Sequence, residues 1–268
     1  MDVRLGASSQ AKSVVRLYGR SVGISADTAD LLDELLRVIP GIWAPAAGRA
    51  PRTYSLVANG SPRGRRYVLY KDGVEFVRSR DFAWIRAVFA GSVGFYAAET
   101  SRIRTFVHAG VVGWRGRAIV VPGREFTGKT TLTAALVKAG ATYLSDEFAP
   151  IDDGGRVHPF PRPLTFKRAN VQRPKLVPVE SLGGVQEGRA LPVGLVVIAP
   201  FAEGKTWRPR RVSPGRGVMH LMSNCASAQT RPDKAFERLG RVATMAPVLQ
   251  SARGEADETA RKILKKCE

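Results

Sequence analysis

The residues Gly123, Arg124, Glu125, Phe126, Thr127, Gly128, Lys129 and Thr130 follow the spacing G-x-x-x-x-G-K-[ST], with Thr131 directly behind them. Each fixed position has a chemical reason. Gly123 and Gly128 let the backbone turn tightly and approach an anion without a Cβ in the way. Lys129 can reach the outer oxygens of a polyphosphate, and the Thr130 hydroxyl is a hard oxygen ligand of the kind Mg²⁺ takes. The pattern predicts a cradle for the phosphates of a nucleotide such as ATP, with Mg²⁺ beside it. A plainer reading is a glycine-rich turn with a solvated lysine, and Glu125 and Phe126 are bulkier than such a loop needs.

A cradle of this kind works only where a strand feeds it and a helix opens from it, so that free backbone N–H groups and the positive end of the helix dipole face the anion. Ala118 to Val121 is a short apolar run suited to a buried strand, and Thr130 to Ala139 reads as a helix ended by Gly140. Ala141 to Leu144 reads as the next strand, with Ser145, Asp146 and Glu147 at its carboxyl end. A strand, helix, parallel strand crossover brings both strand ends to one sheet edge, which predicts Asp146 beside the loop. Phe106 to Val112, carrying His108, reads as a strand joined by the turn W-R-G-R to the strand before the loop.

The chain has 268 residues, with 44% hydrophobic and 24% charged residues, a globular composition long enough for two domains. Its longest apolar run, Leu191 to Phe201, is interrupted by Gly194 and Pro200 and too short to span a membrane. The first residues lack an apolar signal core, so a cytoplasmic protein is expected. Cys225 and Cys267 stand far apart without metal-ligand spacing, which predicts free thiols. Lys and Arg outnumber Asp and Glu by 42 to 23, a net charge of +19. The arginines are scattered, and no aromatic-interleaved basic stripe accompanies them, which argues against nucleic acid as the main partner.

In chain order, Val14 to Ser25 reads as extended, and a helix capped by Asp27 or Thr28 runs to Pro40. Tyr54 to Ala58 follows as a strand. Arg66 to Tyr70 and Val74 to Arg78 flank the turn K-D-G of a hairpin, and Asp81 opens a second helix reaching toward Glu99. These residues, 1–100, are expected to form a small α/β unit without catalytic groups, and 101–268 the unit with the phosphate loop. Within the latter, D-D-G-G reads as a turn, a proline-stiffened segment presents Arg162, Arg168 to Gly188 reads as a mobile or irregular segment, and the Arg-rich stretch Arg168 to Arg189 is expected to be able to close over a peptide or small polar acceptor. Pro192 to Ala199 reads as a buried strand. Lys234 to Met245 and Glu255 to Lys265 read as helices on either side of the strand-like P-V-L-Q-S-A-R.

His108-Ala109-Gly110, the loop, S-D-E at the next strand end and G-R-V-H-P-F-P-R-P-L together resemble the catalytic domain of HPr kinase/phosphorylase and its relatives. The resemblance covers Thr105 to Lys167 in order and spacing. It implies an α/β fold with a mixed sheet of the phosphoenolpyruvate carboxykinase type, and ATP- and Mg²⁺-dependent transfer of phosphate to a serine-type hydroxyl. Asp146 matches the first acid of the family's pair, the implied base toward that hydroxyl. Glu147 stands where the family has a second Asp, with an implied metal contact alongside Thr130. The family's downstream glycine-rich signature is not evident, so a peptide, another protein or a small molecule is the expected acceptor rather than HPr, with a homo-oligomer a possibility. Other readings stay open: Asp146 as a magnesium-water ligand, His108 as a satisfied strand histidine, Arg162 as a phosphate or acceptor contact or a surface residue. For the whole chain the alternatives are an ATPase or nucleotide-dependent binding module, and a scaffold with a relict loop.

Overall fold

The computed structural model describes residues 10–61, 64–167 and 173–267, and is mixed α/β. The chain divides into two compact units, Met1–Arg102 and Ile103–Glu268. Among the described residues no helix is long and apolar enough to cross a membrane.

The first unit is a six-stranded sheet with two helices. Its elements are β1 (Ala11–Leu17), β2 (Arg20–Ala26), α1 (Ala29–Leu36), β3 (Trp43–Ala46), β4 (Arg52–Asn59), β5 (Arg66–Lys71), β6 (Val74–Ser79) and α2 (Phe82–Thr100). The sheet order is β3-β1-β2-β4-β5-β6. The stretch read as one extended segment from Val14 to Ser25 is a hairpin. Tyr18 and Gly19 both take positive φ, 49° and 81°, and this tight turn reverses the chain with the twist that antiparallel strands need. Asp72 and Gly73 do the same between β5 and β6. Thr28 rather than Asp27 caps α1, accepting from the Leu31 N–H at 3.3 Å, because the Asp27 carboxylate is taken by the Ala58 N–H at 2.7 Å. Asp81 caps α2 through the Trp84 N–H.

The second unit opens with β7 (Thr105–Trp114), β8 (Arg117–Pro122), α3 (Lys129–Lys138), β9 (Thr142–Ser145), β10 (Phe148–Ile151) and β11 (Arg156–Val157). A separate two-stranded ladder, β12 (Leu164–Phe166) with β13 (Lys175–Val177), follows. Then come β14 (Leu191–Ile198), β15 (Arg210–Arg211), α4 (Pro214–Met222), α5 (Pro232–Met245), β16 (Val248–Gln250) and α6 (Ala256–Lys266). The main sheet runs β11-β10-β7-β8-β14-β16-β15, with β9 paired to β7. Alternation sorts its side chains into two cores. Ile119 and Val121 of β8 pack with Leu132 and Leu136 of α3 and with Ala260 and Ile263 of α6. Ala118 and Val120 pack with Val218 and Leu221 of α4 and with Leu239 and Val242 of α5 on the other face. The sheet is thus the middle of three layers.

One expectation here needs correction, and one element was unforeseen. The segment read as mobile or irregular, Arg168 to Gly188, lies outside the described residues at 168–172. From Arg173 onward it is ordered, with β13, a 3₁₀ turn at Val179–Leu182, and backbone bonds from the Tyr143 N–H to the Val185 carbonyl and from the Glu187 N–H to the Tyr143 carbonyl, both 2.8 Å. The open edge of β9 supplies partners that composition does not advertise, so residues 173–188 are not a free lid. The helix α4 was also not expected, since Gly215 and Gly217 dilute its apolar pattern. Ser213 caps it and Pro214 opens it, and Gly217 packs under Val248 where a Cβ would come within 2.8 Å.

Candidate phosphate-transfer site

The strand β8 carries the chain to Pro122, and the loop from Gly123 to Gly128 leads straight into the first turn of α3. Gly128 has φ 79°, and a Cβ there would meet the Arg253 guanidinium at 2.6 Å and Phe201 Cβ at 3.1 Å, so only glycine fits. Phe126 also takes a positive φ, 61°, with its ring exposed. The Thr127 hydroxyl donates to the Arg124 carbonyl at 2.8 Å and closes the loop on itself. From behind, the Phe201 N–H donates to the Thr127 carbonyl at 3.0 Å, and Arg253 Nη2 donates to the Gly128 carbonyl at 2.7 Å. The first N–H to find an intrahelical partner in α3 is that of Leu132, bonded to the Gly128 carbonyl. Those of Lys129, Thr130 and Thr131 therefore stand at the free, positive end of the helix.

Asp146 reaches this helix end through the sheet. Ser145 stands opposite Val111 and Phe148 opposite His108, so Asp146 and Glu147 fall opposite Gly110 and Ala109 of β7. The Ser145 hydroxyl accepts the N–H groups of Glu147 and Phe148 and turns the chain at that point. Gly110 is the pivot. A Cβ on it would lie 2.0 Å from the Thr133 hydroxyl and 3.4 Å from Lys129 Cγ, so its absence lets α3 settle against β7 with Lys129 over the sheet. Residues 108 and 110 share the face that α3 covers, which brings His108, Lys129 and Asp146 together. The strands β8 and β9 point the same way, yet they are not neighbours, because β7 lies between them.

The cleft so formed has a volume of about 100 Å³ and is lined by His108, Arg124 to Phe126, Gly128 to Thr131, Asp146, Glu147 and Thr165 to Lys167. Asp146 is 5% exposed. Its Oδ2 accepts the Thr165 N–H at 3.3 Å, while Oδ1 is buried and no donor among the described residues reaches it within hydrogen-bond distance. Burial pushes the Asp146 carboxyl up to about 6, against the opposing pull of Lys129, the nearby Thr130 hydroxyl and the Thr165 N–H. Burial likewise holds the Lys129 ammonium below its ordinary value, with Asp146 and then Glu147 opposing. His108 is lowered to about 4, first by burial and then by Lys129. It is a neutral imidazole at neutral pH. Its Nε2 lies 3.4 Å from Lys129 Nζ, which makes Nε2 the acceptor and assigns the proton to Nδ1.

The remaining candidates are placed less directly. Glu147 lines the cleft, but its two oxygens face His108 Nε2 at 3.7 Å and Arg162 Nη1 at 3.6 Å. Arg162 touches the cleft only through Glu147, and its carbonyl accepts the Tyr143 hydroxyl at 2.6 Å. Glu125 pairs with Lys167 at 2.5 Å, and this contact holds its carboxyl below the ordinary range. Asp152 belongs to its turn, accepting the Gly154 and Arg156 N–H groups and pairing with His158 at 2.7 Å. Cys225 and Cys267 are free.

Sequence reasoning missed Arg253, Phe201, Thr165 and Lys167. The first two brace the loop from distant strand ends; Thr165 of β12 closes over Asp146 and Thr130, its carbonyl accepting the Thr130 hydroxyl at 3.5 Å, and Lys167, just past β12, lines the same cleft paired with Glu125. The apolar strands before Phe201 and Arg253 were visible, and both end at the sheet edge that holds the loop, because β14 and β16 run parallel to β8. Arg253 is 1% exposed and has no carboxylate within ion-pair distance among the described residues. A buried cation of this kind favours an anion close by. As an arrangement, the cleft offers free N–H groups, the buried Lys129 ammonium and one carboxylate of raised pKa, with the buried Arg253 guanidinium behind the loop. A scan against models of protein families finds no match to this chain, and a search of curated proteins finds none either.

Proposed function

We propose that the chain is an ATP- and Mg²⁺-dependent phosphotransferase that moves the γ-phosphoryl group to a serine-type hydroxyl of a peptide, protein or small molecule, on a phosphate-loop fold of the HPr kinase and phosphoenolpyruvate carboxykinase type. The observation that carries this reading is Asp146, a buried carboxylate held near 6, in one cleft with Lys129 and the open end of α3. A general base works best when its pKa lies close to the working pH, and an anion cradle alone has no use for one.

In this reading the N–H groups at the start of α3 and the Lys129 ammonium hold the outer phosphates, and Arg253 adds charge from behind the loop. The acceptor hydroxyl gives its proton to Asp146 Oδ1, its oxygen bonds to the γ-phosphorus, and the bond to the β,γ-bridging oxygen breaks to release ADP. Neutral His108 accepts from Lys129 and so aims the ammonium at the phosphates. The Thr130 hydroxyl is a hard oxygen ligand that fits Mg²⁺, with the Glu147 carboxylate in the same cleft, which leaves the unpartnered Asp146 Oδ1 to the acceptor's proton. When bound, Mg²⁺ supplies neutralisation of charge on the transferred group. A cytoplasmic setting, where ATP is supplied, belongs to the same reading.

The test is incubation of the protein with γ-labelled Mg-ATP and peptide, protein and metabolite pools from the source cell. One added phosphoryl group on an acceptor, lost in the Lys129→Ala variant, is the expected result. ATP hydrolysis stimulated by nucleic acid, with no phosphorylated acceptor in any pool, contradicts it and favours an ATPase.

A further inference from the structure

The cleft at Asp146 has a neighbour on the β14 side of the loop, a cavity of about 250 Å³ lined by Phe126, Gly128, Thr131, Phe201, Arg253 and the start of α6. Phe126, Gly128 and Thr131 line both spaces, so the two meet over the first turn of α3. Thr131 is exposed at that junction. A group held at Asp146 and Lys129 can therefore extend across Thr131 into the second cavity without leaving the protein surface.

The second cavity differs in chemistry from the first. Two of its walls are phenylalanines that stay in solvent, Phe126 at 71% and Phe201 at 51% exposure. Phe126 is held in a left-handed backbone conformation that non-glycine residues rarely take and that recurs at ligand clamps. Phe201 is tied down by its N–H bond to the Thr127 carbonyl, and the Arg253 guanidinium lies 5.6 Å from its ring centroid. Arg253 itself is buried with its Nε unpartnered among the described residues. Exposed aromatic faces beside an anion cradle are what a flat, π-rich ring attached to a polyphosphate needs.

We propose that this cavity takes the purine base of the nucleotide, stacked on Phe201 and Phe126, with the phosphates passing over Thr131 to Lys129 and Asp146. The proposal rests on the phosphate reading of the loop and adds the side on which the base lies. Sheet order agrees with it: β7 and β9 carry His108 and Asp146 on one side of β8, and β14 and β16 lead to Phe201 and Arg253 on the other. The reacting end and the base thus fall on opposite sides of the loop.

The experiment compares binding of Mg-ATP and of magnesium triphosphate, which lacks base and ribose, to the full chain and to the variants Phe201→Ala, Phe201→Leu, Phe126→Ala and Lys129→Ala by calorimetry. Wild type is expected to bind ATP more tightly than triphosphate. Phe201→Ala should lose roughly ten- to a hundredfold in ATP affinity, the usual weight of base stacking, with triphosphate affinity kept, and Phe201→Leu should lose less. Retained triphosphate binding also reports that each phenylalanine variant is folded. Equal affinity of wild type for the two ligands, or ATP affinity unchanged in both Phe201→Ala and Phe126→Ala, overturns the base site while leaving the phosphate loop intact. Binding of neither ligand to wild type, or binding of both unaffected by Lys129→Ala, overturns the loop reading and the base site with it.

Discussion

Arg253 Nη2 donates to the Gly128 carbonyl at 2.7 Å, tying the segment after β16 to the glycine that begins α3. Two residues far apart in the chain thus fix where the helix end points. Arg253→Ala removes a buried charged hydrogen bond, worth about 1.5–3 kcal/mol, and leaves a hole beneath the loop. The melting temperature is expected to fall by roughly 5 °C in differential scanning fluorimetry, with a loss of Mg-ATP affinity of about tenfold. An unchanged melt and unchanged affinity would show that the brace is idle.

Asp146 should cost the fold stability at neutral pH. Its carboxyl rises from an ordinary 3.8 to about 6, so between those values the folded chain holds more proton than the unfolded one. Stability therefore falls as pH rises through that window, and the deficit is complete above it, on the order of 3 kcal/mol. Asp146→Asn is expected to melt several degrees higher than wild type at pH 7.5, with the gap closing toward pH 4.5. A variant no more stable than wild type at pH 7.5 would mean that the carboxylate is not strained by burial.

The same shift sets a pH profile. A base must be deprotonated to accept the acceptor's proton, so kcat/KM is expected to rise with pH through about 6 and then level off. Initial rates from pH 5 to 8 test this. A flat profile would remove Asp146 from the proton transfer.

His108 is expected to stay neutral down to about pH 4, with Nδ1 protonated and Nε2 bare. Long-range proton–nitrogen correlation NMR at pH 6 reads both nitrogens directly. A doubly protonated ring at that pH would contradict the arrangement with Lys129. His108→Ala should slow turnover by roughly tenfold, the weight of one charge-assisted hydrogen bond, and less than the loss of Asp146.

What could be read from the sequence follows from how local each feature is. The proposed phosphate loop is a contiguous spacing, and Gly123, Gly128, Lys129 and Thr130 sit in a loop and helix turn of the kind that the spacing implies. Asp146 lies in a loop and was reached by topology: a strand directed like β8 must end at the same edge, although β7 intervenes. The helix α4 was hidden because its glycines serve packing against Val248 and not helix propensity. Arg253, one arginine among many in a chain of +19 charge, carries no local mark of its burial. Thr165 and Lys167 depend on β12 folding over α3, a contact that no periodicity announces.

The central claim is that Asp146 serves the transfer step and not merely the grip on nucleotide. Single-turnover transfer from labelled Mg-ATP to the acceptor found in the screen, measured with calorimetric affinity on the same Asp146→Asn protein, tests it most directly. The account predicts Mg-ATP affinity within a few-fold of wild type and transfer slower by roughly a hundredfold or more, the scale of losing a positioned base. Equal losses in affinity and transfer would contradict it and make Asp146 a metal-site residue.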